Sequence, residues 1–203
     1  MDLNNKVAII SVAMTSLLLA ACTTPQVPAP SPSSESLQPT SISIDTQPDW
    51  LVYSDTENGY TFQYPEKLDS VSYGQLSNYN EGDYKGKSLV YSKNTSSTLN
   101  NGLKVTTLAL KNTTQTAKQF ADIQFEKEQA DPNAPQNKGV TQTNVNNKNA
   151  AYFIVDGFGL AKVYFIQNGG IVIRISGLAQ GSDEEKSAYM DSFDQIVKTL
   201  QFK

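Results

Sequence analysis

The sequence contains no histidine, one cysteine and one tryptophan in 203 residues, and only 18 % of its side chains are charged. Without an imidazole, every mechanism that needs a histidine base, ligand or pH switch is excluded. One cysteine cannot close an internal disulfide, so a disulfide-stapled scaffold is excluded too. A basic footprint is missing: 16 Lys and Arg stand against 20 Asp and Glu, for a net charge of −4. That balance argues against nonspecific nucleic-acid binding. Hydrophobic residues reach 38 % and the mean hydropathy is −0.39, which excludes a multi-pass membrane protein.

What is present starts with an export signal. Lys6 and the amino terminus make a weakly basic opening, and residues 7–21 are apolar or small and uncharged. As a helix this run would span about 22 Å, short of the roughly 30 Å hydrocarbon core. It therefore reads as a signal peptide over residues 1–21. Its close, Leu19-Ala20-Ala21-Cys22, resembles a bacterial lipobox. That resemblance implies cleavage before Cys22 and acylation of its thiol and new amino terminus. Two or three acyl chains anchor durably where one is marginal. The other readings are a signal peptide whose cysteine lies there by chance, and an uncleaved N-terminal anchor. The expected location is the cell membrane, on its extracytoplasmic face.

Residues 22–49 hold six of the nine prolines, no glycine and no aromatic. Such a segment cannot bury enough apolar surface to offset chain entropy, so a disordered tether is expected. Every aromatic residue lies from Trp50 onward, which places one domain at 50–203.

Within that domain three Asn-Gly dipeptides mark turns: Asn58-Gly59, Asn101-Gly102 and Asn168-Gly169. Strands are expected at 51–53 and 60–64 around the first, at 88–93 and 103–111 around the second, and at 161–167 and 171–177 around the third. Ile171, Ile173 and Ile175 alternate with Val172, Arg174 and Ser176, which predicts a half-buried strand. Two further strands, 140–145 and 150–155, join through an Asn-rich turn. Residues 116–129 place Ala117, Phe120, Ala121 and Phe125 on one helical stripe. A second helix opens on Ser182-Asp183-Glu184-Glu185, a capping box. Asp194 and Lys198 stand at i,i+4 spacing on its polar face. The pattern is α+β, an α/β/α sandwich with a central antiparallel sheet and two main helices.

The segment Asn58-Gly59-Tyr60-Thr61-Phe62-Gln63-Tyr64-Pro65 resembles the opening of PsbP-like domains, which share the Mog/PsbP fold. Their helix-to-strand close is matched by Ile196-Val197-Lys198-Thr199-Leu200-Gln201-Phe202, and Ala150-Ala151-Tyr152-Phe153 fits a strand between. Glu66-Lys67-Leu68 departs from the pattern, since many relatives carry Trp soon after the proline. The resemblance implies a mostly non-enzymatic accessory or binding protein on an extracytoplasmic membrane face. It brings no catalytic set with it. Tyr60, Phe62 and Tyr64 share one strand face and read as core.

Several motifs are decoys. Gly82-Asp83-Tyr84-Lys85-Gly86-Lys87-Ser88 approaches a P-loop, but Glu81 replaces the first glycine and a strand follows instead of a helix. Gly157-Phe158-Gly159 lacks the third glycine of a dinucleotide loop. The carboxylate groups at Asp55/Glu57, Glu81/Asp83, Glu126/Glu128 and Asp183–Glu185 match no metal loop and read as surface charge or a helix cap. No cofactor, metal, nucleotide or catalytic residue is assigned.

The candidate binding residues are Tyr73, Asn78, Tyr79, Asn80 and Tyr84, in a Tyr/Asn-rich loop suited to stacking sugars or peptide, together with Tyr91. These tyrosines read first as core or strand-face residues, with the stacking surface as the second reading. Arg174, on a polar sheet face, is a candidate bidentate anchor for a carboxylate, with a solvated strand arginine as the commoner reading. The expected function is that of a lipid-anchored, non-catalytic module for a membrane-protein assembly or envelope ligand. A cell-wall or polysaccharide binder and an atypical histidine-free hydrolase are the alternatives. The membrane through the lipid anchor is one partner, and a protein or envelope polymer is the other.

Overall fold

The computed structural model describes residues 49–93, 99–111, 114–130 and 139–203. The chain divides into units 1–43 and 44–203, and all described residues belong to the second. The signal peptide, Cys22 and the tether up to residue 48 lie outside the described residues.

Among the described residues ten strands and two helices follow in the order β1 (Trp50–Asp55), β2 (Tyr60–Pro65), β3 (Gln75–Glu81), β4 (Tyr84–Ser92), β5 (Gly102–Lys111), α1 (Ala117–Gln129), β6 (Thr141–Val145), β7 (Lys148–Asp156), β8 (Leu160–Asn168), β9 (Ile171–Gln180), α2 (Asp183–Lys198) and β10 (Gln201–Phe202). They form an α+β fold with two antiparallel sheets. The larger has seven strands in the order β3-β4-β5-β9-β8-β7-β6, and the smaller has three, β1-β2-β10.

Every Asn-Gly turn joins antiparallel neighbours or begins a strand. Gly59 and Gly169 take φ of 66° and 61°, which glycine adopts without steric penalty. The Asn-rich turn between β6 and β7 is the pair Asn146-Asn147, both at positive φ, as a two-residue hairpin of the favoured hand requires. Both helices open with capping boxes. Thr116 and Gln119 exchange hydrogen bonds at α1, and Ser182 and Glu185 do so at α2.

The helices cover opposite faces of the seven-stranded sheet. On one face Ala117, Ala121, Phe120 and Phe125 of α1 pack on Leu108, Leu110, Ala151, Phe153, Phe165 and Val172. On the other, Tyr189, Phe193, Ile196 and Val197 of α2 share a core with Tyr60, Phe62, Leu103, Val105, Ile173 and Ile175. The core reading of Tyr60, Phe62 and Tyr64 holds: they are 0, 1 and 7 % exposed.

Three expectations need correction. β9 is covered on both faces, because Val172 is buried under α1 while Ile173 and Ile175 are buried under α2. A central strand of a two-faced sheet alternates between two cores, so alternation in sequence does not imply a wet face. Asp194 pairs with Lys162 of β8, whose Nζ donates to both carboxylate oxygens at 2.9 and 2.8 Å, instead of following its helical spacing to Lys198. Third, residues 75–81 are a strand, which has consequences for the candidate site.

Candidate functional site

β3 and β4 form a hairpin in which Ser77 faces Ser88, Asn78 faces Lys87, Tyr79 faces Gly86, and Asn80 faces Lys85. Since successive side chains leave a strand on opposite faces, this register separates the candidates. Tyr79, Glu81 and Tyr84 lie on the α1 side. Asn78, Asn80, Lys85 and Lys87 lie on the side of the small sheet. The expected single Tyr/Asn-rich loop is thus two surfaces back to back.

On the α1 side Arg174 of β9 reaches across to the edge. Its two terminal nitrogens donate to the two carboxylate oxygens of Glu81, with Nη1 to Oε1 at 2.9 Å and Nη2 to Oε2. Arg174 thus holds a carboxylate bidentately, and that carboxylate belongs to the chain itself. The row it crosses runs Arg174, Leu108, Gly86, Tyr79, and Gly86 places no side chain in the way. The hydrogen bonds from Arg174 hold the Glu81 carboxyl below its usual range. Tyr79 donates its hydroxyl to Glu81 Oε2 at 3.1 Å, and Lys104 Nζ sits 5.6 Å from its ring centroid. Burial first, and then the bond to Glu81, push the Tyr79 hydroxyl up. Tyr84 is 45 % exposed at the hairpin tip.

The small-sheet side carries a cleft of about 520 Å³ between the β1–β2 turn and the β3–β4 hairpin. Tyr53, Asp55, Asn58, Asn78, Asn80 and Lys87 line it, with Lys85 beside them. Lys87 Nζ donates to Asn78 Oδ1 at 2.7 Å and lies 5.6 Å from the Tyr53 ring centroid. Burial, then the Asp55 charge, push the Tyr53 hydroxyl up to about 12. Asp55 accepts from the Asn58 backbone N–H at 2.9 Å and from Asn58 Nδ2 at 2.7 Å. That grip fixes the amide and leaves Asn58 Oδ1 buried without a hydrogen-bond partner. Amides, ammonium groups, the carboxylates of Asp55 and Glu57 and an aromatic face together suit a polar, hydroxyl-bearing ligand.

Two candidates stand elsewhere. Tyr73 forms an isolated bridge with Lys67, is 53 % exposed and lies away from both surfaces. Tyr91 is core, 0 % exposed, and donates its hydroxyl to the Pro65 carbonyl at 2.5 Å. Of the cleft residues, Asp55 reads in sequence as surface charge, Asn58 as a turn residue and Lys85 and Lys87 as part of a P-loop decoy, and Tyr53 carries no binding signal. The Asn58-Gly59 turn was visible, but only tertiary pairing lays it beside β4.

The carboxylate groups resolve into local partnerships. Glu57 binds Lys111 at 2.7 Å, and Glu185 Oε1 accepts from Lys93 at 2.8 Å and Asn101 at 3.0 Å. Among the described residues no three His, Cys, Asp or Glu side chains gather into a group able to hold a metal. No helix among them is long and apolar enough to cross a membrane.

Compared with solved structures, the chain resembles the solution structure of cyanobacterial PsbP (CyanoP) from Synechocystis, with a TM-score of 0.50 and 15 % identity over 76 % of this chain and 93 % of that one. A Bacteroides thetaiotaomicron crystal structure aligns with a TM-score of 0.42 and 12 % identity, over 75 % of this chain and 48 % of that one. A Pseudomonas aeruginosa protein of unknown function aligns with a TM-score of 0.40 and 10 % identity, over 77 % of this chain and 99 % of that one. No family model matches the chain, and no curated protein matches it. The described domain has a PsbP-like fold.

Proposed function

We propose that the protein is an extracytoplasmic lipoprotein, anchored through acyl chains on Cys22, whose α/β/α domain is a non-catalytic accessory module for a membrane-protein assembly. The observation that carries this reading is the PsbP-like fold, aligned over 93 % of the CyanoP chain. Two features support binding over catalysis. No imidazole exists to move protons. The conspicuous carboxylates of Glu57, Glu81 and Glu185 are held by Lys111, Arg174 and Lys93.

The test has two arms. Membrane fractionation and intact mass of the full chain should show cleavage before residue 22 and acyl mass on Cys22, both lost in Cys22→Ala. Unchanged fractionation and mass in that variant would overturn the anchor. The full chain, immobilised in detergent, should capture one solubilised membrane component saturably; the absence of any saturable component would overturn the accessory role.

A second reading, an envelope-polysaccharide binder, is supported by the amide-lined cleft at Asn78, Asn80 and Tyr53. It predicts cosedimentation with purified cell wall that is lost in Asn78→Ala/Asn80→Ala and kept in Tyr79→Ala.

A further inference from the structure

Among the described residues β6 is an outer edge of the seven-stranded sheet, paired only with β7. Its register runs from Thr141↔Tyr152 to Val145↔Lys148 without a bulge. The two-residue turn makes Val145↔Lys148 a hydrogen-bonded pair, and the pairs alternate from there. Thr141, Thr143 and Val145 therefore direct their backbone groups to β7. Gln142 and Asn144 direct theirs outward, to the open side. Exposed edges are ordinarily blunted by lysine, proline or a bulge. Thr141-Gln142-Thr143-Asn144-Val145 has none of these.

Hollows flank this edge on both faces. On the α1 side lies one of about 470 Å³, lined by Thr116, Lys118, Gln142, Asn144, Asn149 and Gln167. On the α2 side lies one of about 240 Å³, lined by Val145, Tyr164, Val197, Asp194 and Lys198. Side chains of a strand added beside β6 would enter the two alternately. Those opposite Gln142 and Asn144 enter the α1 side, and the one opposite Thr143 enters the α2 side.

The two hollows differ in charge. Among the described residues no acidic side chain lines the α1-side hollow. It opens on the positive end of α1, whose first turn holds no acidic residue. At α2, by contrast, Asp183, Glu184 and Glu185 occupy the first turn. Lys118, 47 % exposed, adds a cation paired with Asp122 of its own helix at 2.6 Å. On the other side Asp194 is committed to Lys162, and Val145, Val197 and the Tyr164 ring leave a small apolar surface.

We infer that β6 is a strand-addition site for an extended partner segment of alternating acidic and small apolar residues, its carboxylates facing Thr116 and Lys118 and its apolar side chains facing Val145 and Val197. This rests on the accessory-module reading and names the chemistry of the partner. A second copy of the chain fits poorly. Residues 140–149 contain no Asp or Glu, and two copies joined at β6 would bring two positive hollows together.

The probe is a blocked heptapeptide, Thr-Glu-Val-Glu-Val-Glu-Thr, added to the full chain in detergent, with a Lys-for-Glu peptide as control. Amide hydrogen exchange at Gln142 and Asn144 should slow on addition, and the Lys peptide should bind at least about tenfold more weakly. Gln142→Pro removes an outward donor without touching the β7 ladder, so it should weaken binding by about tenfold while unfolding temperature is kept. Lys118→Glu, on the exposed helix surface, should reverse the preference between the peptides. Equal binding of both peptides, protection confined to another element, or a dimer that occludes Thr141–Val145 would overturn the assignment. If wild type and Gln142→Pro capture the same membrane component equally, the accessory reading stands and the edge site falls. If the peptide binds as described and no membrane component is captured, the edge site stands and the accessory reading falls.

Discussion

Gly177 of β9 lies directly under the Phe193 ring of α2: a Cβ at 177 would stand 2.6 Å from Phe193 Cγ and 2.8 Å from both Cδ atoms. Phe193 is fully buried, so the ring has nowhere to retreat without moving the helix. Gly177→Ala should lower unfolding free energy by about 2–3 kcal/mol, as overpacking of a full core does. Urea unfolding measures it. Phe193→Leu in the same chain should recover part of the loss, and a Gly177→Ala variant as stable as wild type would show that α2 does not rest on this contact.

The Arg174–Glu81 pair ties the centre of the sheet to its edge. Arg174 is 14 % exposed and Glu81 47 %, so solvent screens the pair from one side. Glu81→Gln should lower stability by about 0.5–1 kcal/mol. Arg174→Lys should not restore the tie, since an ammonium cannot copy a bidentate fork. A double-mutant cycle with Arg174→Met isolates the coupling, and a coupling of zero would reduce the pair to a surface contact.

Stability should be level from about pH 8 to about pH 5, because no histidine titrates there. Hydrogen bonds from Asn101 first, then Lys93 and Ser182, hold the Glu185 carboxyl well below its ordinary 4.5, and Arg174 lowers that of Glu81. A carboxyl whose pKa is depressed by folding contributes stability above its unfolded value, and that contribution is lost as pH falls through the folded one. The unfolding temperature should therefore drop below about pH 4.5. Glu185→Gln should start lower at pH 7 and show a shallower acid slope. Parallel curves for the two proteins would contradict this.

The alkaline limb has the opposite sign. Burial is the leading cause that raises Tyr53, Tyr60, Tyr64, Tyr79, Tyr91, Tyr164 and Tyr189 above the ordinary value of 10. A group whose pKa is raised by folding contributes stability below its unfolded pKa and loses it as pH climbs through the folded one. Tyrosinate absorbance at about pH 10 should fall well short of half the ten tyrosines, and the remainder should ionise with unfolding. A smooth single titration near pH 10 in the folded protein would contradict the burial of Tyr60 and Tyr91.

Most elements were legible because they carry a strong local signal. The β8–β9 hairpin shows alternation on both sides of Asn168-Gly169, and α2 shows a capping box followed by apolar residues at helical spacing. β3 was illegible for a physical reason. As an edge strand it buries little, and Gln75-Leu76-Ser77-Asn78-Tyr79-Asn80-Glu81 has no apolar alternation to announce it. Reading it as a loop merged Tyr79 and Tyr84 with Asn78 and Asn80 into one patch. Their division between two faces depends on register with β4, which pairing decides. Arg174 was read as an anchor for a ligand carboxylate; the carboxylate it holds is that of Glu81, 93 residues away, which no local spacing could name.

The sequence by itself determined the elements other than β3, the turns, the aromatic core of β2 and the absence of imidazole chemistry, since all of these depend on residue type and short-range spacing. Only the tertiary structure decided that β1, β2 and β10 form a separate sheet, that Asp194 takes Lys162 over Lys198, and that β6 is, among the described residues, an edge between two hollows. Those outcomes depend on which segments meet across the chain, and contacts of that range are set by packing both faces of one sheet at once.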